Sequence, residues 1–381
     1  MKSIIQYAYP PEPDGLSLQG HYLYLGMKAN GEDVLPCNPG SELEREWKFR
    51  SFRPDVAIGV GYWGNTPELV VDPLKYGIVP VPWLVADGWV ANYHGILESL
   101  PLVLTTSEWV KKTYQRDGLS GKNMVSMPIG IDTGIFQPIP KTSPEIIRLR
   151  ELLNIRPDEK MILTAGGDTT SKGSQEMLKA LQLIDEQFPG YKYVLKSWPS
   201  EVADGHLEEE EKLIGELGLD PEKIIFLSGG YSNEFMATLL NAADIYAAPS
   251  RLEGFGMIQV EAMACGIPVL SIDHMGPKET IIHSKTGFLA RVKETVELEG
   301  EWVYPHMGFD RKYWMKFPEK KIFAYRADVE QLADFTLRLL QDDQLRKKMG
   351  EAARQHAAGQ FAYADVAKRI ADVVKERLRI Q

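Results

Sequence analysis

Residues 249–268 have the sequence Pro249-Ser-Arg-Leu-Glu-Gly-Phe-Gly-Met-Ile-Gln-Val-Glu-Ala-Met-Ala-Cys-Gly-Ile-Pro268 and follow the apolar run Ile245–Ala248. This pattern predicts a buried strand, a glycine loop, a helix and a second strand. Gly254 and Gly256 let backbone amides approach a ligand closely, and the N-terminus of the helix that follows favours an anion. The segment therefore predicts an anion site at the carboxyl end of a strand.

Glu261 lies in the middle of this predicted helix, and its neighbours three and four residues away are apolar or small. Its carboxylate is therefore predicted to point towards the core, which is costly unless hydrogen-bond donors meet it. The two hydroxyls of a ribose would supply such donors. Glu253 lies eight residues earlier, a separation that suits a nucleoside at one end and its sugar at the other. The alternative is that Glu261 pairs with a nearby Arg or Lys and that Glu253 is a solvated loop residue.

Apolar, strand-like runs alternate with helical periodicity along most of the chain. This alternation predicts an α/β fold with two doubly wound, Rossmann-like domains that face each other across a cleft. We assign residues 1–155 to an N-terminal domain that binds the acceptor and residues 156–363 to a C-terminal domain. A final helix, 364–381, is expected to pack back on the first domain. The predicted strands are Val56–Val60, Val79–Leu84, Leu102–Thr106, Met161–Ala165, Tyr193–Lys196, Ile224–Leu227, Ile245–Ala248 and Pro268–Ile272.

An acidic and aromatic segment at about residues 291–325 interrupts the alternation and is interpreted as an insertion in the C-terminal domain. Two interpretations remain open: a contact for an acceptor or a second copy of the chain, and a packed excursion that buries its own aromatics. The final helix is amphipathic and basic, which favours docking on its own protein and also allows a peripheral membrane contact. The aromatic residues of the segment are Trp302, Tyr304, Phe309, Tyr313, Trp314, Phe317 and Phe323.

Composition excludes several classes of protein. The chain has 381 residues, 44% of them hydrophobic, which is enough for two domains with their own cores. Its formal charge of -10 argues against nucleic-acid binding, which needs a positive surface. Cys37 and Cys265 are far apart, so a disulfide framework has little support. We find no secretory signal or membrane-spanning run and expect a cytoplasmic protein.

Five motifs, in the same order along the chain, resemble glycosyltransferase family 4, the retaining GT-B enzymes that use nucleotide sugars. Together they cover most of residues 100–290. The motifs are the pair Glu253 and Glu261, the segment Gly130-Ile131-Asp132 with Phe136 and Pro138, the helix-opening Ser107, Lys172-Gly173 after Gly166, and Gly276 with Glu279 and Thr286-Gly287-Phe288-Leu289.

The resemblance implies a role for each residue of the donor site. A lysine that neutralises the diphosphate leaving group suits phosphate oxygens, because its ammonium is compact. The implied roles are Lys172 for the diphosphate, Glu261 for the ribose, Glu253 for the sugar hydroxyls, and Gly254, Phe255 and Gly256 for amides that face the sugar and phosphate.

Two further segments are assigned to the donor. Asp14-Gly15-Leu16-Ser17 stands where the family has a second glycine loop near the phosphates, so Gly15 is a candidate. Asp-Gly is also common in plain turns, which is the alternative for this segment. The backbone from Leu227 to Gly229 is a candidate contact for the base.

The chain departs from the family at two points. Gly167 stands where the family has an arginine of the phosphate loop, so one cation is missing, and Lys196 at the end of the next strand is a candidate replacement. The histidine that the family places after an N-terminal strand to meet the donor sugar is also absent, because the comparable strand, Val79–Val85, is followed by Ala86-Asp87, and Asp87 or His94 is a candidate for that role. These changes leave open an unusual donor, a shifted active site or a loss of activity.

The predicted reaction is retaining transfer of a hexose from a nucleotide diphosphate to an unidentified acceptor. The chain contains no Asp-x-Asp triplet, so we expect metal independence and no cofactor. The sequence does not choose among UDP, GDP and ADP, and it leaves the oligomeric state open. Alternatives are a GT-B nucleotide-sugar epimerase, a sugar phosphorylase and a nucleotide-sugar-binding protein without catalysis. A dinucleotide-dependent dehydrogenase is disfavoured, since its Gly-x-Gly-x-x-Gly fingerprint is missing.

Overall fold

The computed structural model describes residues 1–12, 14–85 and 88–380, which form two compact units. Unit 1 combines Met1–Asp132, Glu297–Phe323 and Gln360–Gln381. Unit 2 combines Thr133–Val296 and Ala324–Gly359. The first division of the chain thus falls at residue 132, where the sequence suggested residue 155. Most of the aromatic segment belongs to unit 1, although the sequence analysis had assigned it to the C-terminal domain.

Unit 1 is built on a parallel sheet of six strands in the order β2-β1-β3-β4-β5-β6. Strand β3 in the middle of this sheet has all six residues buried, as expected of a parallel strand with helices on both faces of the sheet. The strands are β1 (Lys2–Gln6), β2 (Asp33–Cys37), β3 (Val56–Gly61), β4 (Val79–Leu84), β5 (Val103–Thr105) and β6 (Met124–Ser126), and the helices between them are α1 (Gly15–Ala29), α2 (Glu42–Phe52), α3 (Asp72–Lys75), α4 (His94–Ser99) and α5 (Glu108–Arg116).

Unit 2 repeats this architecture with a second parallel sheet of six strands, in the order β12-β11-β10-β7-β8-β9. The order reverses between β7 and β10, so loops after these two strands diverge at the sheet edge. The strands are β7 (Lys160–Ala165), β8 (Tyr191–Ser197), β9 (Ile224–Ser228), β10 (Ile245–Ala247), β11 (Val269–Ile272) and β12 (Gly287–Ala290), and the helices are α6 (Pro144–Leu152), α7 (Ser174–Ile184), α8 (Glu201–Leu217), α9 (Asn233–Ala242), α10 (Met257–Ala264), α11 (Met275–Thr280), α12 (Val329–Gln341) and α13 (Asp343–Phe361). The predicted class, two Rossmann-like parallel α/β domains, is confirmed.

The aromatic segment forms a long two-stranded hairpin, β13 (Val292–Val303) and β14 (Tyr313–Ala327). One side of the hairpin joins the core of unit 1, where the Phe317 ring lies 5.5 Å from the Trp89 ring. On its other side Trp302 and Trp314 stay 43% and 49% exposed. Some aromatics of the segment thus pack in the core, and the interpretation as a contact for an acceptor or a second copy of the chain stays a prediction.

The last helix, α14 (Tyr363–Leu378), packs against α1. The approach is close, because a Cβ atom added at Gly26 would lie 2.5 Å from the Cβ of Ala367. The apolar face of α14 is buried there, which accounts for its amphipathic pattern without a membrane. No helix among the described residues has the length and apolar character needed to cross a bilayer.

Candidate functional site

The predicted donor residues of unit 2 gather at the carboxyl edge of its sheet. The loop after β7 carries Lys172 and the loop after β10 carries Glu253, and these strands flank the point where the strand order reverses. Ligands of open α/β sheets bind at such a point, because the two loops leave in opposite directions and open a crevice. Lys196, near the end of β8, pairs in register with Ala165 at the end of β7.

An ion pair joins the two loops. The Nζ of Lys172 donates to Oε2 of Glu253 at 2.7 Å. The other oxygen, Oε1, accepts from the backbone N of Gly256 at 3.0 Å and of Phe255 at 3.4 Å. One carboxylate thus takes donors from a lysine and from the amides at the start of α10, so this point of the loop favours negative charge.

The backbone fixes the two loops against each other. Arg251 N donates to Ser171 O at 2.8 Å. Gly173 opens α7 with φ of +86°, and a Cβ atom there would lie 2.4 Å from Pro249 O. A Cβ at Gly166 would likewise lie 2.6 Å from the Cγ of Lys172. Glycine at these positions therefore lets the loops touch and lets the lysine chain lie over the backbone.

Arg251 is a brace that the sequence analysis missed. Its guanidinium donates to the Glu176 carboxylate through both Nε and an Nη atom, at 3.2 and 3.0 Å, and to Gln175 Oε1 at 2.8 Å. Glu176 is buried in the first turn of α7. Arg251 therefore ties the glycine loop to the helix that follows Lys172. An arginine two residues before Glu253 was the available signal, but its partner lies 75 positions away in sequence.

The glycine loop also packs against α11. Gly256 has φ of +95° and forms the N-cap of α10. A Cβ atom at Gly276 would lie 2.5 Å from the N and Cα of Phe255, and Gly276 N donates to Glu253 O at 3.1 Å. The segment Gly254–Gly256 thus contacts both α10 and α11, and the amides of Phe255 and Gly256 are fixed near the carboxylate of Glu253.

Glu261 is inward-facing, as the sequence predicted. Its side chain is only 4% exposed, and no described residue hydrogen-bonds or ion-pairs with its carboxylate. Burial raises its pKa to about 8. The alternative, a pairing with a nearby Arg or Lys, does not occur among the described residues. A buried carboxyl group without donors is costly, so this group is suited to a ligand that supplies hydroxyls.

Lys196 is a second cation at this edge. It is 4% exposed, and its Nζ lies 4.6 Å from the centroid of the Trp198 ring and 5.4 Å from that of Tyr231. No carboxylate of the described residues pairs with it, and burial lowers its pKa to about 8. Gly167, beside it, has open space where a side chain would project. The site thus lacks a cation at residue 167 and holds one on the neighbouring strand.

Leu227, the predicted base contact, sits next to Lys196 in the sheet register. Its side chain is half-buried near the end of β9. The structure therefore places Leu227 at the same edge as the two cations.

The remaining candidates lie in unit 1. Gly15 begins α1, and the carboxylate of Asp14 caps the helix by accepting from Leu16 N and Ser17 N at 2.9 and 3.0 Å. His94 begins α4, where its Nε2 lies 2.8 Å from Asp117 O. Asp87 lies outside the described residues. Among the described residues, no group of three or more His, Cys, Asp or Glu side chains is arranged to hold a metal ion.

Comparison with known proteins supports the resemblance to glycosyltransferases. Residues 145–299 match the family model described as glycosyl transferases group 1. An MMP alpha-(1->4)-mannosyltransferase from Mycolicibacterium hassiacum is 27% identical over 293 residues, which is 76% of this chain and 58% of that protein. The chain therefore spans less than two thirds of the length of this relative.

Solved structures show the fold. Sucrose-phosphate synthase from Thermosynechococcus elongatus aligns over 100% of both chains with a TM-score of 0.74 and 17% identity. Anabaena HepE, crystallised in complex with UDP-glucose, aligns over 99% of this chain and 100% of its own with a TM-score of 0.71 and 17% identity. The predicted GT-B fold and the resemblance to glycosyltransferases are confirmed.

Proposed function

This chain is a relative of the group 1 glycosyl transferases with the GT-B fold, and on that premise we propose that it moves a hexose from a nucleotide diphosphate to an acceptor. Anomeric configuration is retained. The observation that supports this proposal most directly is Glu261, a buried carboxyl group without a partner in the described structure. It lies on α10, the helix that begins directly after the loop in which a lysine and backbone amides meet the Glu253 carboxylate.

The nucleoside end of the donor is assigned to Glu261. Its carboxylate accepts hydrogen bonds from the two ribose hydroxyls, which replaces the water lost on burial. The backbone near Leu227 lies at the same sheet edge and is assigned to the base. HepE, which has the same fold, is described in complex with UDP-glucose, which supports a nucleotide sugar as the ligand class.

The diphosphate end is assigned to two cations and the start of α10. Lys172 and the amides of Phe255 and Gly256 face one point, and Lys196 lies on the next strand of the sheet. Fixed donors of this kind stabilise the negative charge that grows on a leaving diphosphate. Lys196 takes the place of the family arginine that is missing at Gly167. Glu253 turns to the hydroxyls of the transferred sugar.

The atoms and electrons of the proposed transfer balance without a cofactor. The bond between the anomeric carbon and the diphosphate oxygen breaks, and its electron pair goes to the diphosphate. The acceptor hydroxyl oxygen forms the new bond on the same face of the sugar, and its proton passes to the departing diphosphate. Lys172, Lys196 and backbone amides carry the charge, so we expect activity to persist in a chelator.

A thermal-shift panel of nucleosides, nucleoside diphosphates and nucleotide sugars tests the proposal. A ligand that binds only the folded state raises the melting temperature, and at a fixed ligand concentration the increase is larger for a tighter ligand. We expect one nucleotide sugar to raise the melting temperature of the wild type, and to raise that of Glu261→Gln by less. The control Glu211→Gln, whose side chain is exposed on α8, should show the same increase as the wild type. A panel in which no nucleotide shifts the melting temperature would refute the proposal.

Product analysis separates the remaining activities. Nucleotide release that requires an acceptor indicates a transferase, conversion of the donor alone indicates an epimerase, and a requirement for phosphate indicates a phosphorylase. Binding without release under any of these conditions indicates a nucleotide-sugar-binding protein. Loss of activity in chelator that Mg²⁺ or Mn²⁺ restores would contradict metal independence.

A further inference from the structure

A buried carboxylate on α8 holds the loop that carries Lys172. Glu210 is fully buried, and its oxygens accept from Thr169 Oγ1 at 2.9 and 3.0 Å and from Thr170 Oγ1 at 2.9 Å. The hydroxyl of Ser174 donates to the same carboxylate. These three residues stand on both sides of Lys172 in sequence. Glu210 thus holds both ends of a short turn with the lysine at its tip.

The backbone of this turn is tight, so fixing its ends fixes its tip. Lys172 N donates to Thr169 O at 3.0 Å and Gly173 N donates to Thr170 O at 3.0 Å. Ser174 N also donates to Thr169 O, at 3.1 Å. Because each of these bonds starts or ends at a residue that Glu210 holds, movement of the lysine backbone requires breaking the hydroxyl bonds as well.

Helix α8 makes a second contact just before the turn. His206 Nδ1 lies 2.9 Å from Oδ1 of Asp168, and the same oxygen accepts from Ser171 N at 2.7 Å. One turn of α8 separates His206 from Glu210. The helix therefore contacts the loop from Asp168 to Ser174 along its length.

The burial of Glu210 costs free energy that simple packing would not require. Among the described residues no Lys, Arg or His pairs with it, and burial raises its pKa although the three hydroxyls oppose the shift. An apolar side chain of similar size would fill the same volume without the cost of burying a carboxyl group. An apolar side chain could not accept hydrogen bonds from the hydroxyls of Thr169, Thr170 and Ser174.

We propose that Glu210 is a positioning residue that sets Lys172 against the leaving diphosphate through Thr169, Thr170 and Ser174. The proposal rests on the proposed function, since it concerns the same lysine. Glu210 itself touches neither the donor nor the acceptor.

Hydrogen exchange in the ligand-free protein tests the first half of the proposal. The amides of residues 172–174 are protected by the turn, and we expect Glu210→Gln and Glu210→Ala to raise their exchange rate at least about tenfold. The exposed neighbour Glu211→Gln is the matched control and should leave the rate unchanged. Unchanged exchange in both Glu210 variants overturns the proposal, whether or not any nucleotide binds.

A double-mutant cycle tests whether Glu210 acts on diphosphate binding through Lys172. Glu210→Gln should weaken binding of the nucleoside diphosphate about tenfold and leave binding of the nucleoside unchanged, because only the diphosphate reaches Lys172. In a Lys172→Met background the same change should have no further effect on diphosphate binding. A general loss of folding would lower both affinities, and additive losses in the cycle would place Glu210 outside the action of Lys172; either result overturns the proposal.

The two tests also separate the failure of the two proposals. If the wild type binds no nucleotide, the proposed function fails and so does the role of Glu210 towards a diphosphate, while the exchange experiment still decides whether it orders the turn. If the wild type binds nucleotides and the exchange rates do not change, only the inference about Glu210 fails.

Discussion

Glu261 shows how much one side chain can reveal before a structure is known. Its apolar helical neighbours predicted an inward orientation, and the structure confirms it with a side chain only 4% exposed. The absence of a described partner for its carboxylate was not predictable, because an Arg or Lys from any distant element could have supplied one. Local periodicity reports the face of a helix, whereas the partner depends on long-range packing.

The raised pKa of Glu261 gives a prediction for stability without ligand. Burial lifts the pKa from 4.5 to about 8, so the fold disfavours the ionised form. The neutral group contributes fully to the free energy of unfolding below the pKa of the unfolded state, and this contribution is lost as the pH rises through about 8. The melting temperature of the wild type should therefore fall relative to Glu261→Gln as the pH rises from 5 to 8. Parallel curves for the two proteins would contradict this expectation.

The same group gives the opposite trend for binding. Ribose hydroxyls donate to the ionised carboxylate and stabilise it, so nucleoside binding should release a proton. Between about pH 6 and pH 8.5 the affinity of the wild type for the nucleoside should rise, while that of Glu261→Gln should stay flat. Calorimetry in two buffers of different ionisation enthalpy measures both the affinity and the proton released. Absence of proton release at pH 7 would count against the assignment.

The two cations of the site are expected to differ in effect. Lys172 contacts the start of the glycine loop directly, so Lys172→Met should lower kcat/KM about 100-fold or more. Lys196 stands one strand away beside Trp198, and Lys196→Gln should lower it about tenfold. Steady-state kinetics with the donor found in the thermal-shift panel measures both. An equal or larger loss at Lys196 would show that the second strand carries the main charge.

At the scale of elements, the site depends on where loops leave the sheet. The structure contains all eight strands predicted from the sequence, because buried parallel strands are continuous apolar runs. The sequence analysis missed β1, β2, β6 and β12 of the two sheets and the hairpin strands β13 and β14, and β1 and β6 contain polar residues that break such a run. The contact between the Lys172 loop and the Glu253 loop could be inferred only through the family resemblance. Its physical basis, the glycine at residue 173 against Pro249, required coordinates.

Gly173 offers a test of that contact. An alanine Cβ would meet Pro249 O at 2.4 Å and would also force a non-glycine residue into a φ of +86°. Gly173→Ala should lower the free energy of unfolding by about 2 kcal/mol or more. It should also weaken diphosphate binding, since the two loops separate. Urea denaturation and calorimetry provide the two measurements.

A glycine of α8 provides the matched control. Gly215 is helical and has nothing within 4 Å of an added Cβ atom, so Gly215→Ala should raise stability by about 0.5–1 kcal/mol. Diphosphate binding should not change. If both alanine variants proved equally tolerated, the loops would not be in the contact described for Gly173.

At the scale of the whole molecule, the chain passes between its two units four times, after residues 132, 296, 323 and 359. Sequence periodicity identified both sheets but assigned the aromatic hairpin to the wrong side of this division. The decisive contacts are remote in sequence: Lys321 Nζ lies 2.6 Å from Oδ1 of the buried Asp117, 204 residues away. Composition and period report the type of an element, and the unit to which it belongs is set by such contacts.

The placement of α14 in unit 1 gives a prediction about truncation. Deletion of residues 362–381 removes the helix that covers α1 around Gly26 and should expose the apolar surface there. Limited proteolysis with mass spectrometry should then show new cleavage within residues 1–132. Nucleoside binding by unit 2 should persist. Deletion of residues 379–381 alone, beyond the end of the helix, is the control, and an unchanged cleavage pattern in the longer deletion would contradict the prediction.

The ion pair between Lys172 and Glu253 has a consequence for selectivity. In the ligand-free protein the ammonium is already neutralised from within, so a free anion such as inorganic phosphate must first displace a tethered competitor. We expect the proposed donor to displace Glu253 from the lysine and at the same time to offer sugar hydroxyls to the carboxylate that it sets free. On the proposed function, we expect the ion pair to weaken the binding of simple anions and to favour a ligand that carries both phosphate and sugar.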